Sequence, residues 1–157
     1  MSENVVPAVV VTAVVVLVGL AAAGTFSPKE WSGSTSAPTP PEVVTVASTG
    51  TVWNLDASTY EYTGPVDLTD NSSWTVTGSF TANNGITFYI LTSSEYSAWG
   101  GPGSPCSYAY ASGSDVTSAS IDTIIAGNSY YFVWENANLV TAASVEITSA
   151  LICTASG

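Results

Sequence analysis

Histidine and arginine are missing from this chain, and Lys29 is its sole basic side chain. A phosphate backbone is held by several lysines or arginines, so nucleic-acid binding is excluded. A basic patch for an anionic membrane surface is excluded for the same reason. Without histidine the commonest general base and metal ligand are lost. Neither a Ser-His-Asp nor a Cys-His arrangement can be assembled. Cysteine is scarce too: Cys106 and Cys153 stand alone, with no C-x-x-C, and two ligands do not make a structural zinc site. Charged residues are only 8% while hydrophobic ones are 46%, unlike a charged disordered chain. A length of 157 residues fits one domain of ordinary size.

The charge that is present is acidic. Twelve Asp and Glu face one Lys, for a formal net charge of -11. Acidic, lysine-poor surfaces suit strong salt or strong acid. Carboxylates this sparse point away from salt. Below about pH 3 most exposed carboxyls are protonated, and almost no positive charge then remains to drive self-repulsion. An acidic exterior is the expected setting.

From Asn4 to Pro28 no side chain is charged. Val5 to Ala23 is apolar apart from Thr12, with small interruptions at Pro7 and Gly19. At helical rise this run is about 28 Å long, close to one hydrocarbon core. Lipid forces a helix even on a valine-rich segment, and Pro7 sits in the first turn, where its missing N–H costs little. Residues 1–28 therefore read as a membrane anchor, with the bilayer as partner of residues 5–23. Ala21-Ala22-Ala23 would suit cleavage of a secretory signal, but the leading Met1-Ser2-Glu3-Asn4 has no basic residue. The Asn71-Ser72-Ser73 sequon, the even cysteine count and the Ser/Thr-rich body place the following domain outside the cell. Residues 29–41 are a Ser/Thr/Pro linker, in which Trp31 suits either the membrane interface or packing on the domain.

Residues 42–157 read as β throughout. Trp74, Val76, Gly78 and Phe80 alternate with Ser73, Thr75, Thr77 and Ser79. Asn83-Asn84-Gly85 signals a tight hairpin, with Ile86 to Leu91 as the returning strand. Tyr130 to Trp134 is a nearly continuous apolar strand after Gly127-Asn128, and Val145 and Ile147 begin the last one. About eight short strands separated by turn signals predict an all-β antiparallel sandwich behind one N-terminal transmembrane helix.

Gly78-Ser-Phe80, Ile86-Thr-Phe88-Tyr-Ile90, Tyr130-Tyr-Phe132-Val-Trp134-Glu-Asn136 and Ala143-Ser-Val145-Glu-Ile147 form a pattern. Over roughly residues 73–150 it resembles the small jelly-roll-like sandwich modules of membrane-anchored archaeal surface proteins. Its last two elements are similar to the closing strands of GOLD-type domains. The segment from Val6-Pro7-Ala8-Val9 to Gly24-Thr25-Phe26 is similar to the hydrophobic stem of archaeal pilins. The resemblance implies a structural module and brings no catalytic residue.

The candidate contact residues for a sugar or a partner subunit are Tyr96 and Trp99, which precede the loop Gly100-Gly-Pro-Gly-Ser-Pro105. The plainer reading is a short helical turn that folds Trp99 onto the sandwich edge. Trp74, Phe80, Phe88, Phe132 and Trp134 read as core. Cys106 and Cys153 are expected to form a disulfide. Asn71 is the glycosylation candidate. Asp67 and Asp70 offer oxygens to Ca²⁺, against the plainer reading of solvated loop acids. Asp115, Asp122, Glu135 and Glu146 are expected to face solvent. No catalytic residue, cofactor or resident metal is expected. The reading is thus a non-enzymatic, membrane-anchored surface domain, structural in itself or accessory to other membrane or envelope subunits. The alternatives are a pilin-like filament subunit and a carbohydrate-binding module.

Overall fold

The computed structural model describes residues 37–156. Both the anchor expected over residues 5–23 and Trp31 lie outside them. Among the described residues no helix is long and apolar enough to cross a membrane. The elements are β1 (Val43–Ala47), β2 (Val52–Leu55), β3 (Thr59–Asp67), β4 (Ser73–Thr92), α1 (Ser93–Ala98), β5 (Tyr110–Ala111), β6 (Val116–Ala126), β7 (Ser129–Asn136) and β8 (Ala143–Ala155). Every strand pairing is antiparallel. The all-β expectation holds.

The strands make two layers joined by β4. In the first layer β8 lies between β4 and the short pair β1 and β2, and β6 flanks β4 on the other side. In the second, β7 lies between β3 and the last third of β4, and β5 flanks β4. The twenty residues of β4 cannot run straight. Ser73 is opposite Ala126, and Thr92 is opposite Tyr130. Ala126 and Tyr130 are separated only by the turn at Gly127-Asn128, so both ends of β4 lie at the same end of the molecule. The chain therefore bends back near Asn83-Asn84-Gly85, inside one continuous strand and without the tight hairpin expected there. The returning arm pairs not with the outgoing arm but with β7 in the other layer. The two asparagines are not hairpin residues; they fasten the corner. Asn83 Oδ1 accepts from Ser144 N at 2.7 Å, and Asn84 Nδ2 donates to Ala142 O at 2.6 Å. Strands that switch sheets at such bends form the corners of two-layer β folds.

Period-two alternation fills the space between the layers. Trp74, Val76 and Phe80 from the outgoing arm meet Ile86, Phe88 and Ile90 from the returning arm. Phe132 and Trp134 of β7, with Val145, Ile147, Leu151 and Cys153 of β8, close the core. The five aromatics read as core are all buried. Trp74 keeps its N–H satisfied by donating to Leu68 O at 2.8 Å. The β6–β7 turn needs glycine at 127, because a Cβ there would collide with the Asn71 carbonyl.

The chain enters at one end. Ala155 N donates to Glu42 O at 2.8 Å, and Ala155 is opposite Trp74. Residue 42 therefore sits at the end that holds Ser73, Ala126 and Gly127. The far end carries the β4 corner and the β7–β8 loop. There Asn138 Oδ1 accepts from Val140 N and Thr141 N, while the buried Asn136 amide donates to Asp56 O and Thr141 O.

The expected disulfide is not formed, and both cysteines are free. Cys153 lies in the core between the layers, whereas Cys106 packs on the outside of the second layer. That layer stands between them. Stacked sheets are about 10 Å apart, beyond the Cα separation of about 7 Å that a disulfide tolerates.

Candidate functional site on the outer face of the second layer

Alternation that sends Phe88, Ile90, Phe132 and Trp134 inward sends Tyr89, Leu91, Tyr131 and Val133 outward. Tyr60 and Tyr62 of β3 join them, since Tyr62 is opposite Val133. So much apolar ring area does not stay bare in water. The chain covers it with α1 and the loop that follows. Thr92-Ser-Ser-Glu95 starts the helix with a capping box. Glu95 N donates to Thr92 Oγ1 at 3.2 Å, and Thr92 N donates to Glu95 Oε2 at 2.7 Å. That pattern was available in the sequence as the sign of a helix start.

The cap aims the two candidate contact residues inward. Tyr96 stacks on Tyr131 with centroids 3.9 Å apart and planes 7° apart. Its hydroxyl is 3.4 Å from that of Tyr60. Trp99 is 9% exposed, edge-on to Tyr60 at 4.8 Å, and packs with Leu91 and Val133. A short helical turn does fold Trp99 onto the sandwich, over a sheet face and not an edge, while Tyr96 is half-buried. Two buried indole N–H groups, of Trp99 and Trp134, have no partner among the described residues.

Two open clefts flank this cover. One, of about 340 Å³, is lined by Glu95, Ala98, Trp99, Pro105 and Cys106. The other, of about 380 Å³, is lined by Thr87, Tyr89, Ser104, Asp115 and Glu135. Glu135 is the residue that sequence reasoning misplaced. It lies on the outward row of β7, but the loop folds over it, and it is 2% exposed. Gly103 N donates to its Oε1. Asp115, Asp122 and Glu146 are exposed as expected. No local sequence signal marks this burial, since the loop that covers Glu135 lies about thirty residues earlier in the chain.

Burial, reinforced by the negative charge of Glu135, pushes the Tyr89 hydroxyl up to about 12. Burial, and then the Tyr60 contact, also raise Tyr96. The Cys106 thiol is raised by burial first and by Glu135 and Glu95 next, so it is no ready thiolate nucleophile at neutral pH. Burial lifts Cys153 to about 12. The site thus offers acceptors, hydroxyls and ring faces, without an activated nucleophile.

The remaining candidates sit elsewhere. Asp67 Oδ1 accepts from Thr69 Oγ1 at 2.7 Å and from Thr69 N at 3.1 Å, and these bonds hold its carboxyl below the usual range. Asp70 is exposed nearby, and among the described residues no three His, Cys, Asp or Glu side chains gather to hold a metal. Asn71 lies at the chain-entry end, where its amide donates to Glu42 Oε2 at 3.1 Å. Neither belongs to the outer-face site.

Comparison with family models, with curated proteins and with solved structures finds no match for this chain.

Proposed function

We propose that this chain is a membrane-anchored, extracytoplasmic, jelly-roll-like β-sandwich with a non-enzymatic structural or accessory role at the cell envelope. The observation that carries the reading is the fate of Tyr96 and Trp99. The aromatic residues placed best to hold a ligand are consumed in packing the second layer, and the clefts beside them are open depressions. A domain built this way invests its loop in stability. The anchor rests on the uncharged run Val5 to Ala23, and the entry of residue 42 at one end suits a body standing off a membrane on a linker. A carbohydrate-binding role is less well supported, because Trp99 presents little ring to solvent. A filament role through the stem keeps only its sequence support.

Fractionation tests this. The full chain is expected to stay with membranes through alkaline carbonate washing and to be released by detergent. Deletion of residues 5–23 is expected to release it without detergent. A full chain recovered in the carbonate supernatant would overturn the anchor. Glycan-array binding lost in Trp99→Ala but kept in a similarly destabilised core variant would favour the carbohydrate reading.

A further inference from the structure

Open sheet edges present unpaired N–H and C=O groups, and folded proteins usually blunt them. Three of the four edges here are blunted. β1 and β2 are five and four residues long, and the register of β1 slips between Thr45 and Ala47. β3 loses its register between Thr63 and Val66, where Pro65 has no N–H to donate. β5 has two residues. β6 differs from all of them. It runs for eleven residues, VTSASIDTIIA, with no proline, glycine or lysine. Among the described residues its only partner is β4. Its outward row is Ser118, Ser120, Asp122 and Ile124, and Ile124 is 71% exposed.

We propose that β6 is a homotypic docking edge, which a second copy of this chain extends by antiparallel β6–β6 pairing about a two-fold axis at Ser120. The charge pattern suits a second copy of this strand and disfavours a two-fold at Asp122. The strand carries one ionisable side chain, Asp122. A two-fold at Ser120 sets that carboxylate opposite Ser118 of the partner subunit, a hydroxyl that can donate to it, and the contact occurs twice. A two-fold at Asp122 would set the two carboxylates face to face, which is unfavourable. The incoming strand covers Ile124 and satisfies the open backbone groups, at about one hydrogen bond per paired residue. An isologous contact of this kind uses one patch on both copies.

The pairing has a consequence for orientation. Ser73 is opposite Ala126, so the Ala126 end of β6 is the end at which residue 42 enters. Antiparallel pairing then points the two entry ends in opposite directions. Joined to the anchor reading on which this step rests, the opposed entry ends suit copies on facing membranes, and the contact would then be adhesive.

Two measurements separate the pairing from the anchor. In mild detergent, sedimentation of the full chain is expected to show a reversible dimer. Ile124→Lys, which adds the edge lysine the strand lacks, is expected to weaken it at least about tenfold. Ser120→Cys in a Cys106→Ser background is expected to form a disulfide-linked dimer under mild oxidation, whereas Val52→Cys on the opposite edge of the first layer is not. A wild-type monomer at the highest concentration reached, or cross-linking equal at both positions, would overturn the pairing. In the second measurement, vesicles carrying the full chain are expected to cluster, and those carrying Ile124→Lys to stay dispersed. Dimers in detergent without clustering would overturn the adhesive orientation while leaving the pairing in place.

Discussion

The two outer faces of this fold are made partly by the same strand and end up opposite in character. On the outgoing arm of β4 the outward residues are Thr75, Thr77, Ser79 and Thr81. They lie beside Ser118, Ser120, Asp122 and the exposed Ile124 of β6 and beside Glu146, Ser149, Ile152 and Thr154 of β8, a mostly polar set. The hydroxyls pair locally, as Ser79 does with Thr148 at 2.8 Å, and the face stays wet. On the returning arm the outward residues are Thr87, Tyr89 and Leu91, and the face is roofed by α1 and the loop. Small β-branched alcohols suit a pleated surface half in water. Tyrosine and tryptophan bury far more apolar area and require cover. Alternation decides which row points inward. The size of the outward side chains decides whether a third layer forms.

The largest test of this contrast is to remove the roof's main contact. Trp99→Ala is expected to destabilise the full chain by about 3 kcal/mol, the low end for buried aromatics, since the covering loop can settle. Trp99→Phe keeps ring contact and deletes an N–H that has no partner among the described residues, so its cost should be well under half of that. Chemical denaturation of both variants checks the pair. Equal losses would mean that the indole N–H has a role the described residues do not show.

Next in size is alkaline sensitivity, to which Tyr89 and Tyr96 of the tyrosine face, the core Tyr130 and both cysteines should contribute. Their folded pKa values are raised, Tyr89 and Cys153 to about 12. In the unfolded chain such groups ionise near pH 10 and 8.5. The stability they contribute is complete below those values and is lost as the pH rises through the folded ones. Melting temperatures are therefore expected to fall progressively between about pH 9 and 12, and less steeply in Tyr89→Phe. An unchanged slope in that variant would detach Tyr89 from the effect.

The bare face should respond least to substitution. Ser79→Ala removes one solvent-exposed hydroxyl pair and is expected to cost about 0.5 kcal/mol by denaturant titration. A loss near that of Trp99→Ala would erase the distinction between the faces.

Much of this contrast was legible beforehand, and where it was not the reasons are physical. The core residues of β4, β7 and β8 followed from period-two alternation, because one-sided burial fixes their phase. Asn83-Asn84-Gly85 suggested a tight hairpin where the strand instead bends through a corner, because a local turn signal does not say whether the returning arm pairs with its neighbour or crosses to another layer. Cysteine parity suggested a bond between Cys106 and Cys153, yet parity is blind to which side of a sheet each thiol occupies. Glu135 looked solvent-facing because strand phase places it outward; only the path of a loop thirty residues earlier buries it. Tyr96 and Trp99 stood out as aromatic residues beside a flexible loop, a pattern shared by binding sites and by roofs.

The smallest expected effect is that of acid, and its smallness is the point. Among the described residues two carboxyls have shifted pKa values, and they oppose each other. Burial raises Glu61, so its contribution is fully present below the unfolded value and is lost as the pH climbs through the folded one. Hydrogen bonds from Thr69 lower Asp67, so its contribution is present above the unfolded value and is lost as the pH falls through the folded one. Going from pH 7 to 2 therefore gains the first and loses the second, and Asp67, being fully exposed, is screened by water. Acid usually unfolds proteins in two ways: it breaks ion pairs, and it leaves a crowd of unbalanced cations. This chain has one Lys, no Arg and no His, so neither route has much to act on. Melting temperatures of the full chain at pH 7 and pH 2 should agree closely, while they diverge on the alkaline side. Asp67→Asn should flatten any residual acid slope, and Glu61→Gln should tilt it towards loss at low pH. A steep fall at pH 2 that survives Asp67→Asn would count against this balance and against an acid-tolerant fold.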